Sequence, residues 1–143
     1  PDLEELQRYS DKKKISAVYY GRIPYEDMVK KLVQCDIAVN LIKYGTMQSI
    51  INKVGDYAMA GLPVINTQNN DEYRELIDTY HCGINCTNGS AEEVSAAILK
   101  LTIDKDYRIE LGKNNRRMGE EVFDRATTYP AIVETINSMI DEE

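Results

Sequence analysis

Short apolar runs separated by stretches of helical periodicity limit most strongly how this chain can fold. Residues 15–20 (ISAVYY), 36–41 (DIAVNL), 63–66 (PVIN) and 83–86 (GINC) each read as a strand, rich in β-branched, aromatic or other apolar residues and bounded by turn formers. Helical patterns fill the intervals. Pro24 opens one in which Met28, Leu32 and Val33 recur at helical spacing. Residues 52–60 form another, stopped by Gly61, a glycine placed as a C-terminal cap. Residues 72–80 form a third. Strands alternating with helices of this length imply βαβ units, right-handed crossovers and a parallel sheet. The ends of the chain read as helix only: residues 3–9 at the start, then 91–101, 106–123 and 130–139. Ser90 caps the first of these last three, with Glu93 in capping-box register. The expected fold class is α/β, a parallel sheet flanked by helices with further helices at the C-terminus. At 143 residues, with no repeat, low-complexity run or long linker, residues 1–143 read as a single domain.

Composition removes several function classes. The net charge of −7 opposes binding to nucleic acid or an anionic membrane. No apolar run approaches membrane-span length. The three cysteines, Cys35, Cys82 and Cys86, are an odd count and read as reduced thiols of an intracellular protein. His81, Cys82 and Cys86 lack the fourth ligand and the paired spacing of a zinc site, so no metal is expected. His81 is the single histidine, and nothing beside it suggests a catalytic pair.

In open parallel sheets, ligands bind beyond the carboxyl ends of the strands. Three loops lie there: residues 21–24, 42–52 and 67–71. The second is the longest and the most polar, and it runs straight into a helix. Ser49 or Asn52 can cap that helix, its amides favour an anion such as phosphate, and Lys53 adds a positive charge in the first turn. Asp56, one turn on, can accept two hydrogen bonds from a vicinal diol such as the hydroxyls of a ribose.

The run Asn52-Lys53-Val54-Gly55-Asp56-Tyr57-Ala58-Met59-Ala60-Gly61-Leu62-Pro63-Val64-Ile65 resembles the nucleotide-sugar motif of GT-B glycosyltransferases, the family 4 type in particular. There a helix with an acid five positions before a glycine runs into Gly-x-Pro-Val-Ile. The resemblance extends to Tyr20-Gly21-Arg22-Ile23-Pro24, to Cys35-Asp36-Ile37-Ala38-Val39, to Cys82-Gly83-Ile84 and to the closing helices. It implies a Rossmann-like fold and the C-terminal, donor-binding domain of such an enzyme. By the same resemblance Asp56 binds the ribose, where the family usually has the longer glutamate. The amides of Ser49, Ile50 and Ile51, with Lys53, meet the diphosphate. Gln48 stands where the family has an acid that contacts the donor sugar, and main-chain groups at Ile23 meet the base.

The reaction this implies is transfer of a sugar from a nucleotide-diphosphate donor to an acceptor hydroxyl during glycan synthesis, with retention at the anomeric carbon, as in hexosyltransferases. No metal or other cofactor is implied. The partners would be the nucleotide-sugar and a glycan or lipid-linked acceptor. The setting would be cytoplasmic, with peripheral contact at the inner face of the membrane. By the same resemblance the chain starts just past a Gly-x-Gly-Pro turn, lacks the family's basic pair and acceptor domain, and would be inactive alone. Two family strands would be missing between residues 15–20 and 36–41. The first strand is therefore expected either to move beside the second or to leave an edge on which two chains pair as a dimer. Two other readings stand beside this one: a non-catalytic α/β interaction module using the 44–52 loop, and a sugar-nucleotide epimerase of related architecture.

Overall fold

The computed structural model describes residues 3–42 and 50–141. It divides into two compact units, Pro1–Lys31 and Leu32–Glu143.

The first unit holds α1 (Leu3–Lys13) and most of α2 (Tyr25–Leu32). Acids in the first turn and lysines in the last complement the helix dipole in both. Between them the expected strand at residues 15–20 does not form. The segment is tied to α1 through one ring: the Tyr19 hydroxyl lies 2.6 Å from Ser10 Oγ and donates to the Leu6 carbonyl at 3.3 Å. Lys31 stands over the Tyr20 ring at 4.0 Å. Ile15 and Val18 are exposed. Strand propensity describes a side-chain surface, and without a ladder partner it makes no strand.

The second unit carries the sheet. Its strands β1 (Ala38–Asn40), β2 (Val64–Asn66) and β3 (Gly83–Asn85) are parallel and in sequence order. Residues 15–20 are not among them, so the expectation that this segment moves beside the second strand fails. Ala38, Val64 and Gly83 stand level, as do Asn40, Asn66 and Asn85. The central strand β2 is wholly buried, and its pleat separates two layers. Val64 faces α3 (Lys53–Met59) and α4 (Asp71–Tyr80), in a core with Val54, Ala58, Tyr73 and Ile77. Ile65 faces the other way, onto α5 (Ala91–Ile103) and α6 (Lys105–Met118), in a core with Ala97, Leu101 and Leu111. Burying a side chain of this size contributes about 1.5–3 kcal/mol.

Helix α6 belongs to both layers. Leu111 enters the core beneath α5, while Met118, two turns on, enters the core of α3 and α4. Between these points it crosses the approach to β2. A Cβ on Gly112 would lie 2.4 Å from the Gly61 carbonyl, so only glycine lets the backbones come this close. Asn115, fully buried, donates to the Leu62 carbonyl at 2.6 Å.

One device ends three helices. After α3 the Gly61 and Leu62 amides bond back to Ala58 and Tyr57, with Gly61 left-handed, as its position led one to expect. Lys14 and His81 occupy the same left-handed place after α1 and α4. His81 is thus a helix terminator, and its carbonyl accepts from Asn114.

The helical tail departs from expectation in two ways. The helix expected over 106–123 ends at Met118 and continues as a π-helical turn, Gly119–Phe123, which lays Phe123 against Gly55 of α3. The last helix, α7 (Arg125–Asp141), starts five residues before Pro130. Asp124 starts it instead, accepting from the Ala126 amide through its carboxylate and from the Thr128 amide through its carbonyl. The capping box at α5 is half formed. Ser90 accepts from the Glu93 amide, but the Glu93 carboxylate reaches the Thr87 amide rather than that of Ser90.

Candidate functional site

All three strands end in asparagine, and because they are parallel and in register the three amides line up at the carboxyl edge of the sheet. Asn40 Nδ2 donates to Asn66 Oδ1 at 2.9 Å, and Asn66 Nδ2 donates to Asn85 Oδ1 at 3.0 Å. Gln68, in the loop after β2, joins them. Its side-chain oxygen accepts from Asn40, its amide donates to Asn66 Oδ1, and its carbonyl accepts from Asn66 Nδ2. Asn40, Asn66 and Gln68 are almost wholly buried, where an unpaired amide would be costly, and their mutual pairing makes the burial tolerable.

The same edge ties down the loops that leave it. The Ile42 amide donates to Thr67 Oγ1, and Asn88 Nδ2 donates both to the Ile42 carbonyl, at 3.1 Å, and to that of Thr67, at 2.7 Å. The segment leaving β1 is thereby fastened to the one leaving β2 just before residues 43–49. Arg74, in α4, donates to the Cys86 carbonyl at 3.1 Å. Asn70 caps α4 by accepting from the Tyr73 amide at 2.8 Å. None of the ladder residues, nor Asn88, was singled out from sequence. The signal was present in the endings Ala-Val-Asn, Val-Ile-Asn and Gly-Ile-Asn, a polar residue closing each apolar run at matching register.

The sequence-predicted residues fall in three places. Gln48 and Ser49 lie outside the described residues. Ile50 and Ile51 are half-buried and pack on the core shared by α3 and α4. Lys53, exposed, is the first residue of α3, and Asp56 is half-buried in its first turn. Ile23 is half-buried and belongs to the first unit. Asn52 does not cap α3 with its side chain. Its backbone is already helical, and the Ile51 and Asn52 carbonyls accept from the Val54 and Gly55 amides. Two of the amides at this helix start are therefore used within the chain, and an anion would have to be met by those nearer residue 50 together with Lys53.

Electrostatics mark Asp56 through its neighbour. Burial raises the Tyr57 pKa, and the Asp56 charge raises it further. The Tyr73 hydroxyl is buried with no partner, and burial above all keeps it neutral. Burial likewise pushes the Cys82 thiol up to about 12, so it stays protonated beside Met118 Sδ. None of the three cysteines is in a disulfide. Among the described residues there is no group of His, Cys, Asp or Glu fit to hold a metal ion, and no helix is long and apolar enough to cross a membrane.

On the opposite face of the sheet a cleft of about 450 Å³ opens between the end of β1 and the start of α5, lined by Leu41, Ile42, Thr67, Ser90, Val94 and Ile98. Among the described residues, none of those predicted from sequence lines it.

Comparison with known proteins gives one finding. A family model described as "Glycosyl transferases group 1" matches residues 1–104, the stretch from the start of the chain through α5. No curated protein and no solved structure matches.

Proposed function

Since the chain belongs to the group 1 glycosyltransferases, a family whose model covers residues 1–104, we propose that it is the donor-binding, C-terminal domain of a GT-B enzyme of the family 4 type. The observation that carries this reading is the position of Asp56. It stands in the first turn of the helix that follows the loop leaving β1, and that helix turns through Gly61 directly into the central strand. A nucleotide-sugar lying on this edge would present its ribose diol to Asp56. Its diphosphate would meet Lys53 and the amides of Ser49, Ile50 and Ile51. Gln48 would hydrogen-bond the sugar, while Ile23, which the resemblance assigns to the base, belongs to the first unit.

The chemistry is a group transfer. The bond between the anomeric carbon and the diphosphate oxygen breaks, the acceptor oxygen bonds to that carbon with retention, and the acceptor proton is released. Amides and a cation at the diphosphate stabilise the charge that builds on the leaving group. The buried amide ladder would serve by holding the two loops at fixed separation, since a loose site forfeits the benefit of positioning. The acceptor is a glycan or lipid-linked hydroxyl at the cytoplasmic side of a membrane.

The test is an isotope-edited NMR titration with UDP, GDP and ADP, repeated on Asp56→Ala. Shifts at Ile50, Ile51, Lys53 and Asp56, with affinity about tenfold weaker in the variant, are expected for the loss of a charge-assisted pair of bonds. Binding of equal strength in both proteins would refute the ribose role. No shift with any nucleotide at millimolar concentration would refute the donor site in this chain.

A further inference from the structure

A tight turn joins β3 to α5, and it holds the one Asn-Gly pair in the chain, Asn88-Gly89. The Thr87 carbonyl accepts from the Ser90 amide at 3.0 Å and closes the turn, and Gly89, at its third position, takes a φ of 84°. Gly89 is exposed, and a Cβ there would meet nothing within 4 Å. Its amide donates to no acceptor among the described residues. Asn88 is half-buried, and its side chain is used internally. Nδ2 donates to the Ile42 carbonyl at 3.1 Å and to the Thr67 carbonyl at 2.7 Å, while Oδ1 is buried with no partner.

We propose that Asn88 is a modification site, where the chain itself, with water as co-reactant, converts the side-chain amide to a carboxylate. Hydroxide removes the proton of the Gly89 amide, and that nitrogen attacks Cγ of Asn88. The bond from the Gly89 nitrogen to Cγ forms, the Cγ–Nδ2 bond breaks, and Nδ2 takes a proton from water and leaves as ammonia. Water then opens the cyclic imide at either carbonyl. The products are aspartate and its isomer, in which the backbone runs through the side chain. Nothing is oxidised or reduced.

Three features select this asparagine. Glycine sets no side chain in the path of attack, whereas every other asparagine precedes a bulkier residue. The attacking amide is free and exposed, whereas Asn40, Asn66 and Asn115 are buried. Oδ1 makes no bond that closing the imide would break. The two Nδ2 bonds act the other way and hold the leaving group, so the reaction proceeds from moments when the turn opens locally. Its product cannot close the joint again. A carboxylate has no proton to offer the Ile42 and Thr67 carbonyls, and it sets a charge against two acceptors. The segments leaving β1 and β2 are thereby unfastened, and loss of ammonia makes the change one-way. The isomer also lengthens the turn beside Ser90, the cap of α5. None of this depends on the donor-site reading, because mass, amide shifts and stability report it without a nucleotide.

Incubation of the folded protein at rising pH, followed by peptide mass mapping and enzymatic methylation of isoaspartate, is the test. Conversion at Asn88 is expected ahead of every other asparagine, faster as hydroxide rises, and slower than in the urea-unfolded chain. Asn88→Ser, which cannot form the imide, should abolish that signal. Converted protein, separated by ion exchange, should show shifted Ile42 and Thr67 amides by NMR and a lower urea midpoint. Asn88→Asp should reproduce both, with the folded-to-unfolded ratio reduced about tenfold. Should that variant fail to fold, the converted wild-type chain supplies the same readings. Conversion at another asparagine first would overturn the proposal. So would an Asn88 that stays intact in the folded protein while the unfolded chain converts, or a converted protein whose Ile42 and Thr67 amides and urea midpoint match the fresh one.

Discussion

The two ends of the same three strands are built from opposite materials. At the amino end the chain relies on the absence of side chains: Gly112 of α6 lies on the Gly61 carbonyl, and Gly83 faces Val64 where a Cβ would come within 2.3 Å of a carbonyl oxygen. At the carboxyl end it relies on side chains that satisfy one another, through Asn40, Asn66, Asn85 and Gln68. The first end is held by close packing and tolerates no added volume. The second is held by directional bonds, which keep their geometry while leaving polar groups beside the loops that a ligand would meet. In open parallel sheets ligands bind beyond the carboxyl ends of the strands, and here that end differs from the other in residue type.

Three measurements sharpen that contrast. The largest effect is expected at the closed end. Gly112→Val should cost about 3 kcal/mol by urea denaturation, because the backbone of Gly61 has nowhere to move between α6 and β2. A loss below 1 kcal/mol would show that this end is looser than the contact implies.

A smaller loss is expected at the open end. Asn66→Ala should cost about 2 kcal/mol by the same measurement, since it strips partners from Asn40, Asn85 and the Gln68 amide at once. The cost is limited because the edge can admit water. Equal losses for the two variants would erase the distinction between packing and bonding.

The smallest effect concerns acid. At the open end the Glu93 carboxylate accepts from the Thr87 amide at 2.6 Å, and this bond, ahead of every other influence, lowers its pKa. A carboxylate lowered in the folded state adds stability above its unfolded value and loses it as pH falls through the folded one. The group is exposed, so the contribution is small. NMR titration should place Glu93 below an ordinary glutamate and return Thr87 to solvent-like shifts as it protonates. An ordinary value would remove the bond from the account.

Much of this was legible in sequence where one signal dominated. The apolar runs at 36–41, 63–66 and 83–86 contain β1, β2 and β3, and Gly61 ends α3 as its position required. Legibility failed where a partner decided the outcome. Residues 15–20 have strand composition, yet Tyr19 is spent on Ser10 and Leu6. Pro130 looked like a helix start, but Asp124 reaches the Ala126 and Thr128 amides first. The candidate site was half legible. Asp56 and Lys53 announced themselves by charge beside a helix start, whereas the asparagine ladder depends on register, which no single segment reveals.

Strand order has a consequence for how the second unit is made. Each strand pairs with the next one in sequence, so β1, β2 and β3 can join in the order in which they are synthesised, each closing one crossover that carries a single helix. The piece that completes them comes late. Helix α6 supplies Leu111 to one layer and Met118 to the other, and until it is made both layers lie open at the end where the strands begin. A nascent chain stopped before α6 would hold its asparagines in line and still lack a floor.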